Sequence, residues 1–262
     1  MDNVVNIQRD GPVVTLTLNR PEHQNSLTPE LLHALIEAIA IVRQHHGLRA
    51  VVLQASGPVF SCGSDVAILT GQSDRIAYAD QLLALLHRVM LELIDLPVPL
   101  IAAVQGPVSG SAIGLVLVAD VVLVTPETSF TAYATTLGLS PTGGWTAILP
   151  RLIGQRRTAE TLLLERSITS TEAVAWGLAN RIAPASHLAE EAQALAHQIA
   201  AQLPGSIACA RRLLWAEREQ LAAELERERE LFCRQIRSIE ADIGIKAFLD
   251  RQRNTIPKES AS

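Results

Sequence analysis

"VPLIAAVQGPVSGSAIGLVLVADVVLV", residues 98–124, is the stretch on which the fold turns. A hydropathy window takes so apolar a run for a membrane span, and Gly106, Gly110 and Gly114 repeat at the four-residue spacing seen where membrane helices pair. Gln105, Pro107 and Asp120 interrupt it, and backbone inside a bilayer has no water to satisfy what such breaks leave open. Read instead as strand "LIAAV", a turn, a short buried helix from Ser111 and strand "DVVLVT", the run is apolar throughout because parallel strands are covered on both faces.

The same alternation extends outward. "VVNIQRDGPVVTLTLNR" is two β-rich runs around Asp10-Gly11, a dipeptide suited to a hairpin turn. Thr28-Pro29-Glu30 opens an amphipathic helix with Leu31, Leu35, Ile39 and Val42 on one stripe, ending near Gly47. "RAVVLQAS" is the next buried strand, followed by a helix from about Asp74 to Asp95. After Gly143 the strand signal nearly vanishes except for "NRIA", and "SIACARRLLWAEREQLAAELERERELFCRQI" reads as one long helix. The expectation is an α/β core over residues 1–200 and a C-terminal helical region over 201–262. Leu213, Leu214, Leu221 and Leu225 form apolar stripes on that region that call for a partner, so an oligomer is expected.

With 262 residues, 48% of them hydrophobic, the chain can bury one large core. A net charge of −5 and no Lys/Arg-dense stretch remove the footprint that nucleic-acid binding needs. Cys62, Cys209 and Cys233 are odd in number and far apart, with no CxxC pair, HExxH or His/Cys cluster of ligand spacing, so neither a disulfide framework nor a metal site is expected. The N-terminus has no basic start followed by an apolar segment, and a soluble, cytoplasmic protein is the reading.

"GPVFSCGSDV", residues 57–66, and "GPVSGSAIG", residues 106–114, each leave a buried strand through a turn of small residues. Gly63 is followed by Ser64 and Gly110 by Ser111. Two such turns at neighbouring strand ends can aim two backbone N–H groups at one point, the geometry that stabilises a carbonyl oxygen as it gains charge. Glycines after strands also close tight turns with no further role. Other uses fit less well. Ser109 lacks the GxSxG spacing and any partner acid or His, the "YATTLGLSPTGG" stretch lacks the His of ATP-dependent compartmentalised serine proteases, and no GK[ST] triplet marks a phosphate loop.

"LNRPEHQNSL", "VFSCGSDV", "PLIAAVQGPVSGSAIGLVLVADVVL", "LGLSPTGGWTAILPRLIG" and "EAVAWGLANRI" come in the order and spacing of the enoyl-CoA hydratase/isomerase (crotonase) family, which the chain resembles from about Val13 to Arg253. The resemblance implies a crotonase-like superhelix of ββα units with a C-terminal helical region used in trimer formation. It also implies an acyl-CoA thioester ligand, CoA being part of the substrate with no separate cofactor, in a homotrimer or dimer of trimers. Matched by motif, the thioester oxygen would lie between the amides of Ser64 and Ser111. Hydratases of the family use two carboxylates, and the corresponding places hold Gly114 and Ala134; a third, aspartate in other branches, is Thr142. His87, which shares a stripe with Leu83, Met90 and Ile94 and falls near the histidine of the aryl-CoA dehalogenase branch, is the candidate proton-transfer group, against the reading of a buried structural histidine. Cys62, Asp65, Gly110 and Tyr133 are expected at the pocket, Asp65 as the cap of its turn. For the CoA moiety the resemblance points to the backbone at Asn25, Ser26 and Leu27 and to Lys246 and Phe248 closing over the adenine, with His23 where a basic residue usually stands. A fold retained without its acids, serving as a non-catalytic acyl-CoA-binding or scaffolding subunit, is the alternative.

Overall fold

The computed structural model describes residues 3–255. β1 (Val5–Asp10) and β2 (Val13–Leu18) form an antiparallel hairpin whose turn uses Gly11 at φ 55°, a left-handed value that glycine reaches without a Cβ clash. α1 (Pro29–Arg43) begins at Thr28, whose hydroxyl accepts the Leu31 N–H at 3.3 Å, with Pro29 where a missing N–H costs no helical bond. β3 (Ala50–Ala55) and α2 (Val66–Thr70) follow. α3 (Arg75–Ile94) is capped by the Asp74 carboxylate, which accepts from the N–H groups of Ile76 and Ala77.

Residues 98–124 divide into β4 (Leu100–Val104), the short β5 (Pro107–Ser109), a 3₁₀ turn at Gly110–Ala112 running into α4 (Ile113–Leu117), and β6 (Val121–Val124). No helix among the described residues is long and apolar enough to cross a membrane. Beyond lie β7 (Ser129–Thr131), α5 (Leu149–Ile153), α6 (Gln155–Leu163), β8 (Ile168–Thr169), α7 (Ser170–Trp176) and β9 (Arg181–Ile182). The chain continues as α8 (Leu188–Ala200), α9 (Pro204–Leu214), α10 (Arg218–Gln235) and α11 (Ile239–Thr255).

The strands make two sheets: a six-stranded one ordered β1-β2-β3-β4-β6-β9, parallel apart from the hairpin, and a small one ordered β5-β7-β8. Successive coils of chain place one strand in the large sheet and a short segment in the small one: β4 then β5, β6 then β7, and β3 then Ser61, which bridges to Val108. This is the ββα superhelix expected from the sequence. Both faces of the large sheet are covered. Val51, Leu53, Leu100 and Ala102 join the main core with α1 and α3, while Ala50, Val52, Ile101 and Ala103 pack on Leu188, Ala192 and Ala196 of α8.

Two expectations for the helical region are corrected. The single helix over "SIACARRLLWAEREQLAAELERERELFCRQI" is broken into α9 and α10 at Trp215–Glu217, because Arg211 and Trp215 both turn inward onto Asp120 at the start of β6. Leu221 and Leu225 are buried in the main core, so only Leu213 and Leu214 of the four named leucines are exposed.

Candidate active site

A cleft of about 860 Å³ opens where the two glycine turns meet, a volume within the range of small-molecule sites. Gly63 has φ 77° and Gly110 φ 54°. A Cβ on Gly63 would lie 2.4 Å from the Ser109 carbonyl oxygen, so the two turns are in direct contact. The Ser64 and Ser111 hydroxyls are 3.2 Å apart. The contact is locked by Ser109 N–H donating to the Ser61 carbonyl (3.0 Å), Cys62 N–H to Gln24 (3.0 Å), Leu27 N–H to Gly63 (2.9 Å) and the Ser61 hydroxyl to Asn25 (2.7 Å). Ser111 lies in the first turn of its helical segment, where an N–H has no intrahelical acceptor, and the Ser64 N–H meets no main-chain acceptor among the described residues.

Of the expected site residues, Ser64, Ser111, Cys62, Asp65, Gly110, Tyr133, Ala134, Thr142 and Phe248 line this cleft. Asp65 caps α2 as expected, its Oδ1 accepting from Ala67 (2.8 Å) and Ile68 (3.0 Å). Burial, reinforced by the Asp65 charge, pushes the Cys62 thiol up to about 11, so it is a neutral thiol rather than a nucleophilic thiolate. Tyr133 holds φ 57°, strained for a residue with a side chain, and meets Phe248 edge-on at 5.9 Å between ring centroids.

Five expected residues stand elsewhere. Asn25 is fully buried as a clamp: its Oδ1 accepts the Arg20 N–H (2.8 Å) and its Nδ2 donates to the carbonyls of Ser56 and Val59 (both 2.9 Å). Ser26 is buried behind it, and the cleft wall is made instead by Glu22, His23 and Gln24. Gly114 lies outside the cleft, where a Cβ would fall 2.6 Å from Met90 Sδ and 2.9 Å from the Gly143 carbonyl; the Met90 thioether fills the space a carboxylate stem would need. His87 is buried, as its stripe implied, but it faces α10: it lines a second cavity of about 470 Å³ with Arg88, Arg218, Glu226 and Arg229. Burial lowers its pKa to about 4 against the opposing pull of Glu226, and its Nε2 has no hydrogen-bond partner among the described residues. Lys246 is exposed on α11 and also outside the cleft.

Sequence reasoning missed Gln24, Trp145, Phe232 and Arg251 in the walls and Glu228 behind them. Glu228 reads as one more charge on a solvated helix, yet it is buried and accepts from Gly144 N–H (2.8 Å), Thr146 N–H (2.8 Å), Thr146 Oγ1 (2.6 Å) and Ala147 N–H (3.1 Å). Burial raises its pKa, and these four donors oppose the rise. The inner walls, Ala134, Leu139, Ser140, Pro141, Thr142 and Trp145, carry no carboxylate. The site is therefore two glycine turns in direct contact beside inner walls without a carboxylate, with ionisable groups such as His23, Asp65 and Arg251 elsewhere around the cleft.

Comparison with known proteins bears on the family and the fold. The enoyl-CoA hydratase/isomerase family profile matches residues 8–256. Among curated relatives, the 1,2-epoxyphenylacetyl-CoA isomerase of Escherichia coli is 30% identical over 245 residues, covering 92% of this chain and 93% of the isomerase. A 4-chlorobenzoyl coenzyme A dehalogenase of an Arthrobacter species is 29% identical over 202 residues, covering 76% and 73%. The crystal structure of an enoyl-CoA hydratase from Bacillus halodurans superposes with a TM-score of 0.86 at 26% identity, covering 93% of this chain and 99% of that one. A fold of stacked ββα coils, two glycine turns in contact and a profile match along nearly all of the described chain lead to one assignment: the protein is a member of the enoyl-CoA hydratase/isomerase family.

Proposed function

We propose that the cleft binds an acyl-CoA thioester with its carbonyl oxygen between the Ser64 and Ser111 amides, and that the reaction runs through the enolate these amides stabilise. The observation that carries this reading is the meeting of the two turns, with the Ser64 and Ser111 hydroxyls 3.2 Å apart. When a base takes the α-proton, the C–H electron pair forms the enolate C=C bond and the carbonyl π pair moves onto oxygen, where fixed N–H donors stabilise the charge without reorganising. Leu139 and Ala134 favour an apolar acyl group, and the Arg251 guanidinium offers positive charge to the CoA phosphates, with the His23 imidazole on the same cleft wall. Phe248 and Tyr133 supply aromatic faces beside them.

The proposed reaction is not simple hydration. Gly114, Ala134 and Thr142 hold the three usual carboxylate places, and Met90 closes the first of them. Acid–base groups are typically worth about 10² to 10⁴ in rate each, so hydration of crotonyl-CoA is expected to be slow. Turnover on the order of 10² s⁻¹ or more would overturn this. Thr142→Asp, which restores a carboxylate on the cleft wall, is expected to raise proton transfer.

The same three positions support a second reading, a non-catalytic acyl-CoA-binding or scaffolding subunit. Calorimetric titration with butyryl-CoA together with exchange of its α-protons in D₂O separates the two. Binding with exchange supports the enzyme, binding without exchange the scaffold, and absence of binding refutes both. The assembly proposed for either is a homotrimer or dimer of trimers.

A further inference from the structure

We infer that Trp145 is a positioning residue for the second amide donor: its indole N–H holds the Gly110 carbonyl and thereby aims the Ser111 N–H into the cleft. The inference rests on the thioester reading above and adds to it the group that fixes one of the two donors.

The Trp145 indole donates to the Gly110 carbonyl oxygen at 2.8 Å. That carbonyl and the Ser111 N–H belong to one planar trans peptide unit and point in opposite directions, so fixing one fixes the other. The need for a fixing group is specific to this peptide. Gly110 has φ 54° and no Cβ, and glycine visits either sign of φ at little cost, so the unit is the easiest in the turn to rotate. The Ile113 N–H, within the helical turn, supplies one donor to the Gly110 carbonyl; the indole supplies a second and occupies its other lone pair.

The indole is itself held. Trp145 is 1% exposed. The residues on either side of it, Gly144 and Thr146, both donate their N–H groups to the Glu228 carboxylate, each at 2.8 Å. Just before them, Gly143 packs so closely on Ser111 that a Cβ would lie 2.4 Å from the Ser111 carbonyl oxygen. A continuous line of contacts thus runs from α10 through the 143–147 turn to the second donor. A buried indole N–H needs an acceptor, and here the acceptor is the carbonyl of the donor peptide itself.

The test uses butyryl-CoA labelled with ¹³C at the thioester carbonyl as the probe, bound to the full-length protein. Two variants remove the indole donor: Trp145→Phe, and Trp145→3-benzothienylalanine, which keeps the bicyclic volume and replaces N–H by sulfur, so folding is retained if the smaller ring is not tolerated. The wild-type protein is expected to lower the carbonyl stretching frequency of the bound probe. Either variant should return it part of the way to the free value and slow α-proton exchange by roughly tenfold or more, a part of what loss of one whole donor costs; in the benzothienylalanine variant, which keeps the cleft wall, exchange should change by a larger factor than the dissociation constant. A purely structural role would instead alter melting temperature and binding together and leave the stretch of the bound probe where it was. A variant that folds, binds and shifts the carbonyl as the wild type does overturns the inference while leaving the thioester reading intact. Wild-type protein that binds the probe without shifting its carbonyl overturns the two-amide reading, and this inference with it.

Discussion

Gly63 concentrates two constraints in a residue with no side chain. Its φ of 77° is one that L-residues rarely adopt, and an added Cβ would meet the Ser109 carbonyl at 2.4 Å. Gly63→Ala is therefore expected to cost about 1–3 kcal/mol in stability and to part the two turns. Exchange of thioester α-protons should then fall by on the order of 10² or more, as on loss of a backbone donor; urea denaturation and the exchange assay read the two effects separately. His87 makes a different prediction. As pH falls, a histidine in the unfolded chain takes up a proton near its ordinary value of 6.5, whereas the buried His87 stays neutral down to about 4. Across that window the unfolded state binds more protons, so stability declines as pH falls from 6.5 to 4, by up to on the order of 3 kcal/mol. His87→Leu should flatten this dependence in urea midpoints compared at about pH 7 and about pH 5. If the wild type and variant keep the same slope, His87 is not held neutral by burial.

Among the elements, the break between α9 and α10 shows how one carboxylate can redirect a helix. Asp120 Oδ2 accepts from Leu100 N–H (2.8 Å) and from Arg211 Nε (2.7 Å), and its Oδ1 accepts from Trp215 Nε1 (3.0 Å). The Arg211 guanidinium also caps the end of α3, donating to the carbonyls of Leu93, Ile94 and Leu96. The last turn of a helix leaves carbonyls without partners, and a buried cation there is favoured by the helix dipole. Arg211→Leu would leave the partly buried Asp120 without its charge partner and those carbonyls without a cap. A loss of about 3–5 kcal/mol is expected, read as a lowered urea midpoint; a change under about 1 kcal/mol would show the pair to be a marginal contributor.

For the molecule as a whole, the exposed apolar side chains are the open account. Leu213 and Leu214 are 76% and 78% exposed at the end of α9, Ile239 and Ile243 are exposed on α11, and Leu203 is exposed just before α9. Exposed apolar side chains of this size call for a partner. Assembly into a closed homo-oligomer is the expected outcome. Light scattering at micromolar concentration should give a mass three or six times the 28.3 kDa of the chain; a monomer would refute the proposal. Leu213→Glu together with Leu214→Glu should shift the population toward monomer while leaving the α/β core folded, as judged by circular dichroism.

Much of the fold could be read from the chain alone, because its signals are local. Asp10-Gly11 between β-rich runs, Thr28-Pro29 at a helix start and the doubly apolar strands "AVVLQA" and "LIAAV" each state their own conformation within a few residues. The two glycine turns were legible for the same reason, since small residues after a buried strand announce exposed backbone. The short strands β5, β7 and β8 were not, because three residues carry too little periodicity to separate strand from turn. The roles of charged and aromatic residues were decided only in three dimensions. Glu228 looks solvated until α10 is laid on the 143–147 turn, Asp120 looks like an interruption until Arg211 arrives from 91 residues away, and His87 points inward from its helix without the sequence saying toward which neighbour. Periodicity fixes which face of an element is buried, whereas the partner that face meets depends on long-range packing that no local pattern encodes.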